Sequence, residues 1–469
     1  MKDCNFLTQA TGYLERNHQA LLSDIAALVA IPSVRDETTR CENAPFGLPI
    51  RRAFDALITM AEREGFEVRD HQGFALDISV GEGEEEIALL HHVDVVAPGN
   101  LQAWRTPPYE LSQHGDLVFG RGVTDNKGPL IGSLYLLKMF KELALPMNKR
   151  IRLIIGGAEE TTWECVEHYF KHNPQPKYGF SPDGDFPIVN GEKGIIYGSF
   201  IKDFPADDKS SDPCQLVRIS SERDRSSTCH QLEVELTGEN AAQLAKQLAK
   251  VAHVQQQKEC YCVQFETPWE KSRNPHRVAN CIDQLVESLR DVEGLNGHAR
   301  ELVDMLDALF ADSWDGKKLG LAHTDEQMGG TSCCVSALNM DNKQYRLDFD
   351  FRFPKGLTVE QARTQLHQLA RQYGVSFVEH QYLPLSYLSP EDPLIQAMGN
   401  AYQAITGTHA QCFSKGAASY ARALTHGVAF GPTFPGEMTY VHEPNEQLSL
   451  ESLIKSITIY VKVLISLQE

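Results

Sequence analysis

The sequence predicts an α/β fold: a mostly parallel sheet flanked by helices and interrupted by an inserted α+β module. Three observations carry that reading. Residues 86–96 and 151–157 form short apolar runs followed by loop-forming residues, as buried strands of a parallel sheet should. Helical periodicity precedes and separates these runs, and such alternation builds layered α/β domains. After Gly194 the texture changes. Leu232-Glu233-Val234-Glu235-Leu236 and residues 344–351 alternate apolar with charged side chains, which predicts half-exposed strands, and the α/β texture resumes from about Pro390.

Taken in order, residues 12–30 and 50–65 repeat apolar side chains at helical spacing, with Ile31-Pro32-Ser33-Val34 as a loop between them. The first strand, 86–96, is stopped by Pro98-Gly99. Gly120-Arg121-Gly122 punctuates the approach to Asp125, and 128–143 reads as an amphipathic helix. The second strand ends just before Glu159. In the inserted module 239–256 and 359–373 are expected helices, and helices near 394–405 and 451–467 close the chain.

At 469 residues the chain exceeds one ordinary core, and its formal charge of −19 excludes the positive footprint that nucleic acid or an anionic membrane requires. No stretch reaches eighteen uninterrupted apolar residues, and the first twenty lack the apolar core of a secretion signal. Eleven cysteines without a regular framework point to reduced thiols and the cytoplasm. Cys260-x-Cys262 and Cys333–Cys334 lack a second Cys/His pair at finger-like spacing, so they read as scattered thiols.

Seven side chains read as one di-metal hydrolase site. His92-x-Asp94 puts two side chains on the same strand face, so that His92 binds a metal and Asp94 fixes its tautomer. Asp125 stands in a glycine-rich loop opening a helix, where an N-cap is the alternative use. Glu159–Glu160 at a strand end is costly without cations, and the pair divides naturally into a ligand and a proton carrier. Asp183 sits in Ser181-Pro182-Asp183-Gly184, a rigid turn, and His442 in Val441-His442-Glu443-Pro444 supplies a distant imidazole. Two divalent cations need about this inventory.

These residues, with Gly191-Glu192-Lys193-Gly194, Phe351-Arg352-Phe353-Pro354 and His442-Glu443-Pro444-Asn445-Glu446, closely resemble the zinc-dependent peptidase superfamily of carnosinases, aminoacylases and succinyl-diaminopimelate desuccinylase. The nearest branch is that of the bacterial PepV-type dipeptidases. The resemblance implies a catalytic α/β domain of residues 1–192 and 388–469, with a lid over 193–387 that is enlarged so that the protein works as a monomer. It implies two Zn2+ ions, with Mn2+ or Co2+ as other candidates. One is held by His92 and Asp183, the other by Glu160 and His442, and Asp125 bridges them. Asp94 orients His92, Glu159 is the general acid/base, and Arg352 holds the substrate's carboxylate or the tetrahedral intermediate.

The expected activity is hydrolysis of dipeptides or similar small peptides. The alternatives are an N-acyl amino-acid deacylase and a metal-binding homologue with little turnover. The chain departs from the family in the lid. Lys271 stands where a lid histidine belongs, with His276 as a substitute that would contact substrate. Residues 220–227 replace a glycine-pair motif, and Gly416-Ala417-Ala418-Ser419-Tyr420 replaces a glycine-rich loop.

Overall fold

The computed structural model describes residues 2–205, 212–258 and 260–468. The chain forms two compact units. One consists of Met1–Gly191, Ser386–Phe413 and Ser419–Glu469, and the other of Glu192–Leu385 with Ser414–Ala418.

The centre of the first unit is parallel. Strands Arg150–Gly156, Glu86–His92, Tyr178–Ser181 and Gly427–Ala429 lie side by side in that order. Ala75–Val80 and then Val68–Asp70 extend the sheet antiparallel on one side, and Ile188–Glu192 pairs antiparallel with Gly427–Ala429 on the other. Every residue of Glu86–His92 is buried, as a strand covered on both faces must be. The strand stops at His92, so residues 93–96 of the expected run lie beyond its end. Helix Leu48–Arg63 starts on a proline in its first turn and buries Ile50, Phe54, Leu57 and Ala61 as one stripe.

Helix Lys127–Glu142 departs from its expected amphipathic character. It is buried on all sides from Lys127 to Phe140, because helices Lys2–Val29 and Leu450–Leu467 and the strand Glu86–His92 all pack against it. Helix Glu164–His172 had no counterpart in the sequence reading.

The second unit is an eight-stranded antiparallel sheet in the order His253–Gln257, Cys260–Glu266, Gln231–Thr237, Gln215–Ser220, Ser332–Met340, Gln344–Phe353, Gly194–Asp203, Ser376–Leu383. Helices Ala241–Leu248, Cys281–Leu289, Gly297–Leu309 and Val359–Gln372 share its core. The helix expected over 239–256 ends at Leu248, and 253–257 is an edge strand, since Val251 and Ala252 turn the chain back against Cys260–Glu266. Gln231–Thr237 alternates as expected. Gln344–Phe353 does not: only its start is exposed. Tyr345, Leu347, Phe349, Phe351 and Phe353 enter the apolar core, while Asp348, Asp350 and Arg352 are buried on the opposite face. They tolerate burial because Asp350 pairs with Arg352 and Ser272, and Asp348 with Ser199, Arg346 and Arg223.

Candidate metal centre

The first unit brings together every side chain proposed as a ligand, and the sheet explains how. His92 is the last residue of a central parallel strand, and Ser181, two residues before Asp183, ends the neighbouring one. Glu159 and Glu160 follow the strand Arg150–Gly156, and Asp125 lies one residue before Asn126, the N-cap of helix Lys127–Glu142. Loops beyond the carboxyl ends of parallel strands gather ligands in such folds. His442 arrives from the far end of the sequence, on a loop between the short strands Pro432–Thr433 and Gln447–Ser449, with φ at +67°.

Asp125 occupies the middle. Its Oδ1 lies 2.8 Å from His92 Nε2 and its Oδ2 lies 3.0 Å from His442 Nε2, so each carboxylate oxygen faces a different imidazole. Asp183 Oδ2 is 3.8 Å from His92 Nε2, and Glu160 is 3.1 Å from His442 Nε2. Two overlapping groups, His92–Asp125–Glu160 and His92–Glu159–Asp183, each bring their ligand atoms within 4.8 Å of one another. Among the described residues, the Glu159 carboxylate takes no side-chain hydrogen bond or ion pair.

The electrostatics of this set call for cations. Four carboxylates converge on two imidazoles. Burial, opposed by His92, raises the Glu159 carboxyl well above its ordinary range. Burial and the charge of Asp125 lift Glu160 to about 7, and the same two causes raise Asp183. Burial works against a charged His442, yet Asp125 and Glu160 push it up to about 11. Divalent cations relieve such repulsion, and imidazole with carboxylate is a donor set that Zn2+, Mn2+ and Co2+ all accept. The residues therefore fit divalent metal binding.

Asp94 lies against His92, as its spacing suggested, and against the glutamate pair as well. His92 Nδ1 donates to the backbone carbonyl of Asp94 at 2.9 Å, while the Asp94 carboxylate is 3.5 Å away. That carboxylate accepts instead from the backbone N–H groups of Glu159 and Glu160, at 3.1 and 3.0 Å. Asp94 thus fixes His92 through its main chain and the glutamate pair through its side chain.

Sequence reasoning gave no role to several supports. Asn126 donates to Pro182 O at 2.7 Å and to Asp183 Oδ1 at 3.2 Å, and its own oxygen accepts from His91 Nδ1. Ser133 meets the other His91 nitrogen at 2.8 Å, and burial pulls that imidazole down to about 3, so His91 stays neutral and orients Asn126. Buried Tyr420 stands edge-on to His92, ring centroids 6.0 Å apart, and bonds Cys165. Glu446 is wholly buried and accepts from Arg121 Nη1 at 2.6 Å and from the N–H groups of Gly122, Thr124 and Asp125 at 3.0–3.1 Å. It belonged to a quoted motif, but nothing in its local sequence told it from a solvated glutamate.

Arg352 and His276 belong to the second unit. Arg352 is 5% exposed. Its guanidinium is paired with Asp350 and donates to Ser272 Oγ at 3.0 Å and to Gly416 O at 2.5 Å. His276 is exposed, 5.3 Å from the Trp314 ring. The cysteines from Cys41 to Cys412 are free, and among the described residues no helix is long and apolar enough to cross a membrane.

Comparison with known proteins agrees with this geometry. The chain is 31% identical over 461 residues to the Bacillus subtilis (strain 168) protein named "Putative dipeptidase YtjP", covering 96% of this chain and 98% of that one. The solved structure of human carnosine dipeptidase 1 superposes with a TM-score of 0.61 at 14% identity, covering 98% of both chains. The dipeptidase Dug1p from Saccharomyces cerevisiae gives 0.61 at 13%, again over 98% of each. At such identities these two structures establish the fold. Residues 88–466 match the sequence profile of peptidase family M20/M25/M40, and that span holds every converging side chain described above. The chain belongs to peptidase family M20/M25/M40.

Proposed function

We propose that the chain hydrolyses the amide bond of dipeptides or similarly small peptides. In this reading His92 and Asp183 hold one divalent cation, Glu160 and His442 hold a second, and Asp125 is shared. The observation that carries it is the placement of Asp125, one oxygen toward His92 and the other toward His442. The name of the Bacillus subtilis relative supports a dipeptide substrate.

Bound there, the cations supply Lewis acidity toward a peptide carbonyl and a water that gives up its proton near neutral pH. Glu159, whose carboxylate takes no side-chain hydrogen bond or ion pair among the described residues, would accept a proton from water and return it to the nitrogen of the leaving amine. Asp94 holds both glutamate amides, which keeps Glu159 aimed while Glu160 serves as a ligand. Arg352 and His276 are assigned to the substrate, Arg352 for its planar fork suited to a carboxylate or oxyanion. Zn2+ is the first choice of metal, and Mn2+ or Co2+ serve the same ligands. A cytoplasmic monomer accompanies this reading, supported by the free thiols.

The test is a panel of dipeptides, tripeptides and N-acyl amino acids, given to protein stripped by chelator and reloaded with each metal. Dipeptides should be cleaved fastest, and only by loaded protein. Faster cleavage of N-acyl amino acids would make the enzyme a deacylase. Absence of turnover with every substrate and metal would leave a metal-binding protein.

A further inference from the structure

The loop that carries His442 is open to solvent, and the imidazole's side chain is 53% exposed. Tyr440, His442 and Asn445 all have positive φ, a backbone region that non-glycine residues enter only when their surroundings hold them there. What holds this loop is visible. Asn445 donates to Ala103 O at 2.9 Å and accepts from Arg105 N at 2.8 Å. Glu446 is bonded still more heavily, its side chain by four donors from the turn that presents Asp125, and its carbonyl by Gly120 N at 3.1 Å. Thr124 Oγ1 adds a bond to Gln447 O at 2.7 Å. A carboxylate has about four acceptor positions, and here all are filled.

We propose that Glu446 is a positioning residue that sets the second cation position by clamping the Asp125 turn to the His442 loop. This rests on the two-cation reading above. The first position does not depend on the clamp in the same way. His92 is anchored in a strand and by Asp94 O, and Asp183 by Asn126. Of the residues assigned to the second position, Glu160 is anchored through its N–H by Asp94, whereas His442 is placed by loop contacts alone, four residues before Glu446. Charge-assisted bonds give the clamp its stiffness, and Arg121, 1% exposed, neutralises it locally.

A glutamine at 446 cannot substitute. One end of its amide is a donor, and it would face Arg121 Nη1 and Gly122 N or the other two N–H groups. The test titrates chelated wild-type and Glu446→Gln protein with Co2+, following absorption and stoichiometry, with circular dichroism as the measure of folding. Wild-type protein should bind two ions per chain. Glu446→Gln should keep one at wild-type affinity and bind the other about 10–100-fold more weakly, the usual cost of removing a ligand's support. Two ions at wild-type affinity, or loss of both together from a folded protein, would overturn the proposal.

If Glu446→Gln does not fold, Arg121→Met removes a single donor and should weaken only the second ion. Unchanged binding of both ions, or weakening of both, would overturn the proposal equally. Wild-type protein that binds fewer than two ions would instead refute the two-cation reading itself.

Discussion

Glu159 and Glu160 are neighbours in sequence with different commitments: Glu160 pairs with His442, whereas Glu159 lies beside His92 and Asp183 and, among the described residues, takes no side-chain hydrogen bond or ion pair. Replacing Glu159 by Gln removes the proposed proton carrier and leaves shape and the neighbouring proposed ligands alone. The expected outcome is a loss of about 10²–10⁴-fold in kcat with metal content unchanged, measured by steady-state kinetics and elemental analysis on the same sample. If both ions were lost, the two glutamates would have to exchange roles. Arg352→Lys keeps the charge and gives up the fork that now spans Asp350, Ser272 and Gly416. It should lower kcat/KM about 10²-fold at constant metal content. Normal kinetics would make Arg352 purely a support of its own sheet. At this scale the sequence was legible where side chains carry their own signal, as a histidine or paired carboxylates do at a strand end. It was opaque where the role is made by distant partners. Glu446 and Asn126 act through residues far away in the chain, and Asp94 acts partly through a carbonyl that every residue possesses.

The turn from Gly120 to Asp125 illustrates the element scale. Gly122 has φ of +88°, and a Cβ there would stand 2.8 Å from Val95 Cγ1 and 3.1 Å from Lys127 Cδ. Gly122→Ala therefore meets a backbone penalty of about 1–2 kcal/mol and a steric one besides. A thermal midpoint lowered by several degrees is expected, with weaker cation binding, because Asp125 lies on the same turn. An unchanged midpoint would show that the turn adapts freely. Elements with one clean period were readable in advance, such as Leu48–Arg63, Val359–Gln372, Pro393–Thr406 and Leu450–Leu467. Misread elements had their pattern overridden by tertiary partners. Helix Lys127–Glu142 is enclosed on every side, and the charged residues of Gln344–Phe353 are buried because Ser199, Ser272 and one another satisfy them. Residues 253–257 form a strand because Cys260–Glu266 pairs with them, a contact no helical periodicity reveals.

Among the described residues there are two extensive apolar cores, one in each unit. Phe349, 2% exposed, sits in the second with the rings of Phe200 and Phe310 at 5.2 and 5.5 Å. Phe349→Ala should cost about 3–5 kcal/mol, and calorimetry should show the loss. Cation binding by folded protein should stay as in wild type, since every proposed ligand belongs to the first unit. Loss of both cations from folded Phe349→Ala would show that the two cores are not energetically separate. The order of the ligands along the chain has a consequence for synthesis. A ribosome adding about 5–20 residues per second needs on the order of 10–50 s to travel from Asp183 to His442. Through that interval the emerging polypeptide carries His92, Asp125, Glu159, Glu160 and Asp183 without His442. On the two-cation proposal, a chain that has not yet reached His442 would lack the imidazole of the second position and should cut no peptides.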